Sequence, residues 1–305
     1  MKIKKIIIGA ALVFIGLHLL LLLVVGTWIY VLDETNGEIV SSGKTRKYLL
    51  HVPASYDRNK PTPLVVSMHG AALWPANQKN LTRWNTLADQ QGFIVVYPSG
   101  SGTPRKWGKA GDVKFFSDLL DTLQASYNID PARIYVNGFS NGGGMALELG
   151  CKLTDRIAAV GTVGPALLLP WSMCADSRPV PMITFHGTAD PLALFNGGTS
   201  LASPPKFMTG KTILFESAPV WTANWARRNG CTPAPVESVA ADVTRLDYIH
   251  CTNDAAVVFY TIQGGGHTWP GGKPGPEWWV GSTSNSIDAT GLMWAFFREH
   301  RVAAK

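Results

Sequence analysis

The chain has 305 residues, of which 46% are hydrophobic and 16% are charged, which is typical of a globular protein with a large hydrophobic core. Its formal net charge is +6, and three of its lysines, Lys2, Lys4 and Lys5, lie at the very start. The sequence contains no basic stripe with interleaved aromatic residues, so nucleic acid is not an expected partner.

A long apolar segment follows these lysines. Ile6 to Leu32 contains no Lys, Arg, Asp or Glu, and a helix of this length would extend about 40 Å, which is enough to cross a membrane with some tilt. The segment is too long for a typical cleavable signal and lacks a small-residue cleavage site. We expect residues 1–5 in the cytoplasm, an uncleaved signal-anchor over residues 6–32 and the remainder outside the cytoplasm. Cleavage and secretion, or a buried core helix, are the alternatives.

All four cysteines follow this segment, and none forms a C-x-x-C pair, so neither a zinc site nor another metal site is expected. Four cysteines allow three pairings. In an oxidising compartment the pairs of sequence neighbours are favoured, and buried thiols at one or both pairs are the alternative. These pairs are Cys151–Cys174 and Cys231–Cys251.

Apolar strand patterns alternate with helical patterns along the rest of the chain, which predicts a mostly parallel, doubly wound α/β sheet covered on both faces. We expect a linker over residues 33–46 and one catalytic domain over residues 47–305. Helices are predicted in Asn80–Gly92, Gly111–Asp130, Gly143–Leu149, Ser217–Gly230 and Ser286–His300. The predicted strands are Lys47–Val52, Leu64–Met68, Phe93–Tyr97, Ile134–Val136, Ala158–Val163, Met182–Phe185 and Val257–Ile262.

The stretch "IYVNGFSNGG" places Ser140 in a G-x-S-x-G pentapeptide between a predicted strand and a predicted helix. Small residues on both sides of the serine are needed where strand, turn and helix crowd together, and such a turn exposes a nucleophilic hydroxyl. The alternative is an ordinary glycine-rich turn. The context favours Ser140 as a nucleophile.

A serine nucleophile needs a base, and the base needs an acid to orient it. Asp190 follows the predicted strand Met182–Phe185, and His267 follows Val257–Ile262 in a glycine-rich loop. The chain order Ser, Asp, His and the positions at strand carboxyl ends both fit a catalytic triad. His69 and His186, each followed by glycine, are interpreted as loop-shaping residues instead.

An oxyanion hole requires two backbone N–H groups. One is expected from Asn141, the residue after the nucleophile, and the other from the loop after an early strand. There, "MHGAALWP" makes Ala71 the candidate second donor, with Ala72 as the alternative.

Several of these stretches, taken together, resemble a family of α/β-hydrolases that comprises polyhydroxybutyrate depolymerases and feruloyl or acetyl-xylan esterases. They are "SMHGAA", "IDPARIYVNGFSNGGGMA", "HGTADP", "WARRNGC" and "GGGHTWPGG". The resemblance implies an α/β-hydrolase fold and serine esterase chemistry without metal or cofactor, with Ser140, Asp190 and His267 as nucleophile, acid and base. It also implies a disulfide between Cys231 and Cys251. Family members are usually secreted with a cleaved signal, whereas a tether favours soluble or diffusing esters.

The expected substrate is a small or oligomeric ester, either a hydroxycinnamoyl or acetyl ester of a carbohydrate or a hydroxyalkanoate ester. Trp74, Trp107 and Trp269 are predicted to line its pocket, with Trp278 and Trp279 nearby, unless these indoles only pack loops. Phe195–Pro219 is the expected substrate-shaping insertion. A serine peptidase on the same scaffold and a non-catalytic polysaccharide- or polymer-binding module are the alternative functions.

Overall fold

The structure is a computed structural model that describes residues 14–20, 34–200, 216–232 and 234–302. The chain divides into two compact units, Met1–Glu34 and Thr35–Lys305. In the first unit residues 14–20 are helical, and the rest of the predicted membrane span lies outside the described residues. Within the described ranges, no helix is both long enough and apolar enough to cross a membrane.

The described residues of the second unit contain a ten-stranded sheet with the order β1-β2-β4-β3-β5-β6-β7-β10-β9-β8. Strands β3 to β7 and β10 run parallel to their neighbours in this group, whereas β1, β2, β8 and β9 pair antiparallel. The strands are β1 Gly37–Ser41, β2 Lys44–His51, β3 Thr62–Met68, β4 Ile94–Pro98, β5 Ile129–Phe139, β6 Ala159–Val163, β7 Met182–Gly187, β8 Val236–Ala240, β9 Val243–Tyr248 and β10 Val257–Ile262.

Helices cover both faces of this sheet. Alternate residues of the central strands, such as Val65 and Val66, belong to two separate buried clusters, because successive side chains of a strand point to opposite faces. The doubly wound α/β prediction is confirmed for the described residues. The helices are α1 Pro75–Thr82, α2 Trp84–Gln91, α3 Asp112–Ser126, α4 Asn141–Lys152, α5 Ala218–Arg228, α6 Glu277–Val280 and α7 Ala289–Phe297.

The single helix predicted over Asn80–Gly92 is two helices in the structure. Arg83 separates α1 from α2 in a left-handed conformation, with φ 56° and ψ 27°, and its N–H donates to the Lys79 carbonyl at 3.0 Å. A left-handed residue ends a helix. The break lets the Trp84 indole stack on Phe297 in the core, with ring centroids 6.2 Å apart.

The edges of the sheet differ most from the sequence-based expectation. Residues 37–41, predicted as linker, form β1 and pair with β2, so the sheet begins upstream of residue 47. The β8–β9 hairpin was not predicted either. All five residues of β8 are exposed, and an edge strand that buries neither face gives no period-two hydrophobic pattern.

Both predicted disulfides are confirmed. Cys151 is bonded to Cys174, and Cys231 is bonded to Cys251. The first bond joins the last turn of α4 to the loop that follows β6. The second joins the segment just after α5 to the loop between β9 and β10.

Candidate active site

Ser140 occupies a sharp turn between the end of β5 and the start of α4. Its backbone has φ 54° and ψ −120°, which is unusual for a residue other than glycine. The Ser140 N–H donates to the Val163 carbonyl at 2.9 Å, and the Ser140 carbonyl accepts from the N–H groups of Gly144 and Ala166, each at 3.0 Å. A Cβ atom on Gly142 would collide with the carbonyl oxygen of Met68. These contacts explain the small residues around the serine.

Asp190 and His267 form a buried hydrogen-bonded pair. His267 Nδ1 lies 2.7 Å from Asp190 Oδ2, while Asp190 Oδ1 accepts from the N–H groups of Leu192 and Ala193, each at 2.8 Å. A carboxylate oxygen only accepts hydrogen bonds, so Nδ1 carries the proton and Nε2 of the neutral ring carries the lone pair. The pair therefore has the tautomer that a general base requires.

The His267 ring lies beside the serine turn. Its centroid is 4.8 Å from that of Phe139, the residue before Ser140. The parallel strands β5, β6, β7 and β10 are adjacent in this order, and their carboxyl ends bring the loops of Ser140, Asp190 and His267 to one edge of the sheet. The structure thus joins Asp190 to His267 by a hydrogen bond and brings the His267 ring against the residue before Ser140, although these residues are far apart in the chain.

Gly164 is a site residue that the sequence reasoning missed. It has φ +50°, and a Cβ at this position would lie 3.1 Å from His267 Nδ1 and 3.2 Å from Asp190 Oδ2. Any side chain here would press on the hydrogen-bonded pair. The available signal was the Gly-Pro step directly after the predicted strand Ala158–Val163.

The loop that carries His267 is fixed by the residues that follow it. The His267 N–H donates to the Val280 carbonyl at 2.5 Å, and the Gly266 N–H donates to the Ser282 carbonyl at 2.9 Å. Val280 is the last residue of α6, the short helix that also contains Trp278 and Trp279. The position of the candidate base therefore depends on the segment 280–282.

The other two histidines at this edge are buried and contact loop backbone groups, and His186 Nε2 also lies 3.5 Å from Asp190 Oδ2. His69 Nε2 accepts from the Gly100 N–H at 2.9 Å, and its Nδ1 donates to the Gly70 carbonyl at 2.7 Å. Burial lowers the pKa of His69 to about 4. Burial also lowers the pKa of His186, whose Nε2 donates to the Ala193 carbonyl at 2.6 Å. Both rings are neutral at pH 7.

Of the two alanines considered as the second oxyanion donor, the hydrogen bonds favour Ala71. The Ala72 N–H donates to the Arg105 carbonyl at 2.8 Å and is therefore occupied. Among the described residues, neither the Ala71 N–H nor the Asn141 N–H has a hydrogen-bond acceptor. Gly70 lies against Ser140, since a Cβ on Gly70 would be 3.3 Å from that of the serine. The donor loop and the serine turn are thus in contact.

The structure does not bring the predicted pocket tryptophans together at a surface. Trp107 and Trp269 are 2% and 1% exposed, so neither offers a free ring face to a substrate. The Trp269 indole N–H instead donates to the Thr290 hydroxyl at 3.0 Å. Trp74 is half-buried at the start of α1. Trp278 is 86% exposed and Trp279 is 48% exposed, which leaves α6 as the accessible aromatic surface.

Two further expectations concern the surroundings of the site. Most of the predicted insertion Phe195–Pro219 lies outside the described residues, since only 195–200 and 216–219 are described. In the part of the chain that the structure describes, no group of three or more His, Cys, Asp or Glu side chains could hold a metal ion.

Comparison with known proteins identifies a family and several relatives of this chain. Residues 46–209 match the family described as Esterase PHB depolymerase. Feruloyl esterase B from Piromyces equi is 31% identical over 245 residues, which cover 75% of this chain. The chain spans only 44% of the length of that relative. "Putative esterase NocK" from Nocardia uniformis subsp. tsuyamanensis is 30% identical over 259 residues, which cover 78% of this chain and 74% of that protein.

A solved structure shares the fold. The acetyl xylan esterase from Aspergillus awamori has a TM-score of 0.58 and 17% sequence identity, and the match covers 76% of this chain and 93% of that one. At this identity the likeness concerns the fold alone. The family match covers more than half of the chain, so the chain belongs to the Esterase PHB depolymerase family.

Proposed function

We propose that the chain is a serine esterase in which Ser140 is the nucleophile, His267 the general base and Asp190 the residue that orients the base. The observation that carries this proposal is the buried Asp190–His267 hydrogen bond, 2.7 Å long, next to a serine held in a strained turn. Family membership supports the reaction class. The geometry of the site supports the assignment of the roles.

In the acylation step, the Ser140 hydroxyl oxygen attacks the ester carbonyl carbon while His267 Nε2 takes the hydroxyl proton. The resulting imidazolium is stabilised by the Asp190 carboxylate, which is buried and receives two backbone N–H bonds on its other oxygen. The tetrahedral oxyanion accepts from the N–H groups of Ala71 and Asn141. The C–O bond to the alcohol then breaks, and His267 returns the proton to the departing oxygen.

Deacylation repeats these steps with water. His267 removes a proton from the water, whose oxygen attacks the acyl carbon of the Ser140 ester. The same two N–H groups hold the second oxyanion. Breakage of the bond to Ser140 Oγ releases the carboxylic acid, and His267 returns the proton to the serine. Atoms balance with one water consumed for each ester cleaved.

For the substrate, we propose hydroxycinnamoyl or acetyl esters of carbohydrates, or hydroxyalkanoate esters. The printed names of the relatives support the first class, and the name of the family supports the second. The exposed indoles of Trp278 and Trp279 lie in α6, whose last residue accepts the His267 N–H bond. These rings therefore lie on a segment joined to the loop of the base, where an aromatic acyl group or a sugar could stack.

For the location, we propose that the esterase unit works outside the cytoplasm. Two disulfides support this, because such bonds persist in oxidising compartments. A membrane tether over residues 6–32 remains part of the proposal and rests on the apolar sequence there.

The direct test of the roles is Ser140→Ala assayed with p-nitrophenyl acetate. We expect loss of hydrolysis to near background, because no other hydroxyl occupies the turn. Retained hydrolysis would refute the proposal. A panel of acetyl, feruloyl and hydroxybutyrate esters, with the matching amides as a peptidase control, then assigns the substrate class by kcat/KM.

A further inference from the structure

Two separate segments supply the proposed oxyanion donors, and a third segment is hydrogen-bonded to both. Ala71 belongs to the loop after β3, and Asn141 is the first residue of α4. The third segment runs from Ser101 to Trp107. It is a small hairpin in which Ser101 and Lys106 exchange two backbone hydrogen bonds, each 3.2 Å long. We call it the 101–107 hairpin.

The hairpin is bonded to the serine turn by one side chain. The Trp107 N–H donates to Asn141 Oδ1 at 2.6 Å, and Asn141 Nδ2 donates back to the Trp107 carbonyl at 3.4 Å. The amide of Asn141 therefore binds both backbone groups of Trp107. Its own main-chain N–H, the proposed oxyanion donor, is not used in these bonds.

The same hairpin is bonded to the other donor loop. The Trp107 indole N–H donates to the His69 carbonyl at 2.9 Å, and the Arg105 carbonyl accepts from the Ala72 N–H at 2.8 Å. Gly70 and Ala71 lie in the chain between the two bonded residues, His69 and Ala72. The His69 ring packs against the Trp107 ring with centroids 5.1 Å apart. The peptide groups on both sides of the Ala71 donor are thus held by the hairpin.

The bonds that Trp107 makes to His69 and Asn141 lie in a dry region. Trp107 is 2% exposed, His69 is fully buried and Asn141 is 9% exposed. Hydrogen bonds in such surroundings are not in competition with water, and they fix geometry more firmly than surface bonds do. An oxyanion hole works only if its donors are already in place when the charge develops.

We infer that Trp107 and the side chain of Asn141 are positioning residues that hold the two oxyanion donors at a fixed separation. The inference rests on the proposed function, since it takes Ala71 and Asn141 as the donors. Trp107 touches no substrate in this account. It acts through the His69 carbonyl and the Asn141 amide, so its loss affects the transition state more than substrate binding.

The test compares two indole-to-phenyl substitutions. Trp107→Phe keeps an aromatic ring beside His69 and Phe116 but removes the bond to the His69 carbonyl. Trp225→Phe is the matched control, because Trp225 is fully buried and its indole N–H also donates to a carbonyl, that of Val180, at 2.8 Å. Trp225 belongs to α5 and makes none of the bonds around the two donors.

For Trp107→Phe we expect kcat on p-nitrophenyl acetate to fall about tenfold or more, with KM within about twofold of the wild type, because losing one donor outright lowers kcat by about 10²–10³-fold. The Ki of a trifluoromethyl ketone, which forms a tetrahedral adduct, should rise by a similar factor. Trp225→Phe should leave kcat and Ki within about twofold of the wild type.

Asn141→Ala gives a second test that does not depend on how Trp107→Phe folds. It retains the main-chain N–H and removes only the amide, and we expect the same pattern of lowered kcat and raised Ki. If both residues act through one connection, the double variant loses less than the product of the two single effects.

Several outcomes decide the inference. If Trp107→Phe and Asn141→Ala both keep kcat and Ki within about twofold of the wild type, or match the control, the inference is wrong. If Trp107→Phe does not fold, Asn141→Ala alone decides it. If Ser140→Ala is inactive, the proposed function is supported whether or not Trp107→Phe and Asn141→Ala lower kcat. Activity retained in Ser140→Ala would overturn the function and the inference with it.

Discussion

Ser140 illustrates how single residues at this site depend on contacts made elsewhere. Its positive φ costs on the order of 1–3 kcal/mol for a residue other than glycine. Three backbone hydrogen bonds hold the turn: the Ser140 N–H donates to Val163, and its carbonyl accepts from Gly144 and Ala166. The strain is located at the residue proposed to react, and neighbouring strands and loops maintain it.

Asp190 gives the first prediction at this scale. Asp190→Asn should lower kcat about 10³–10⁴-fold with little change in KM, because an amide in place of the carboxylate favours the wrong tautomer of His267 and removes the charge that stabilises the imidazolium. Steady-state kinetics with p-nitrophenyl acetate measures this.

The matched control for Asp190→Asn is Asp89→Asn. Asp89 also lies 2.7 Å from a histidine nitrogen, that of His51, but at the exposed surface. It should leave kcat unchanged. Equal kinetics for the two variants would show that Asp190 has no special role.

His69 gives a prediction about pH. Its pKa falls from 6.5 to about 4 on burial, so the unfolded chain binds the proton more tightly than the folded chain between these values. The stabilisation is complete above about pH 6.5 and is lost as the pH falls towards about 4. We expect a loss of about 2 kcal/mol in the free energy of unfolding between pH 7 and pH 5 from this residue.

Urea unfolding of the wild type and of His69→Gln at the two pH values measures this contribution. The variant should show a smaller loss of stability on acidification, even if it is less stable at pH 7. His250→Gln, at an exposed histidine, is the matched control. If His69→Gln loses as much unfolding free energy between pH 7 and pH 5 as the wild type does, the loss does not come from His69.

At the residue scale, the sequence predicts the triad but not the surroundings of the tryptophans. Ser140, Asp190 and His267 each follow a strand with a strong apolar pattern, so their common edge could be predicted. Trp107 becomes buried through bonds to residues 38 and 34 positions away, His69 and Asn141. Contacts between loops that are this far apart in the chain produce no periodic pattern, so a single sequence does not predict them.

At the scale of elements, the candidate triad residues follow the parallel strands β5, β7 and β10. The parallel strands were predictable because they are continuous apolar runs, as in β3, which is buried throughout. The break between α1 and α2 was not, since it depends on Trp84 packing against α7. The strand β8 has no buried face that would mark it in the sequence.

The Cys151–Cys174 disulfide gives a prediction at this scale. It closes a loop with a sequence separation of 23, and its removal should lower the free energy of unfolding by about 3 kcal/mol. The bond lies at the far end of α4 from Ser140, so kcat at 25 °C should be retained.

Differential scanning calorimetry of the Cys151→Ser/Cys174→Ser double variant should show a melting temperature lower by roughly 10 °C. A dithiol reductant should shift the wild type in the same direction. An unchanged melting temperature in the double variant would show that the bond adds nothing to stability.

At the scale of the whole molecule, the esterase fold is contained in the unit Thr35–Lys305. Ser140, Asp190 and His267 all lie in this unit. A chain that begins at Thr35 should therefore have the kcat of the full chain.

The full chain and the chain that begins at Thr35 should be found in different fractions of the cell. The full chain should sediment with membranes and require detergent for release, because residues 6–32 are apolar and uncharged. The shortened chain should remain in the supernatant after export. A full chain that is released without detergent and retains its N-terminus would contradict the proposed tether, whereas a new N-terminus after residue 32 would establish cleavage.

We propose that Ser140 carries the acyl group and that His267 assists its transfer. Peptide mass spectrometry after reaction with a fluorophosphonate tests both roles. We expect one adduct, on the peptide that contains Ser140, with labelling strongly slowed in His267→Ala and absent in Ser140→Ala. An adduct at another residue, or ester hydrolysis that continues while Ser140 stays unmodified, would contradict it.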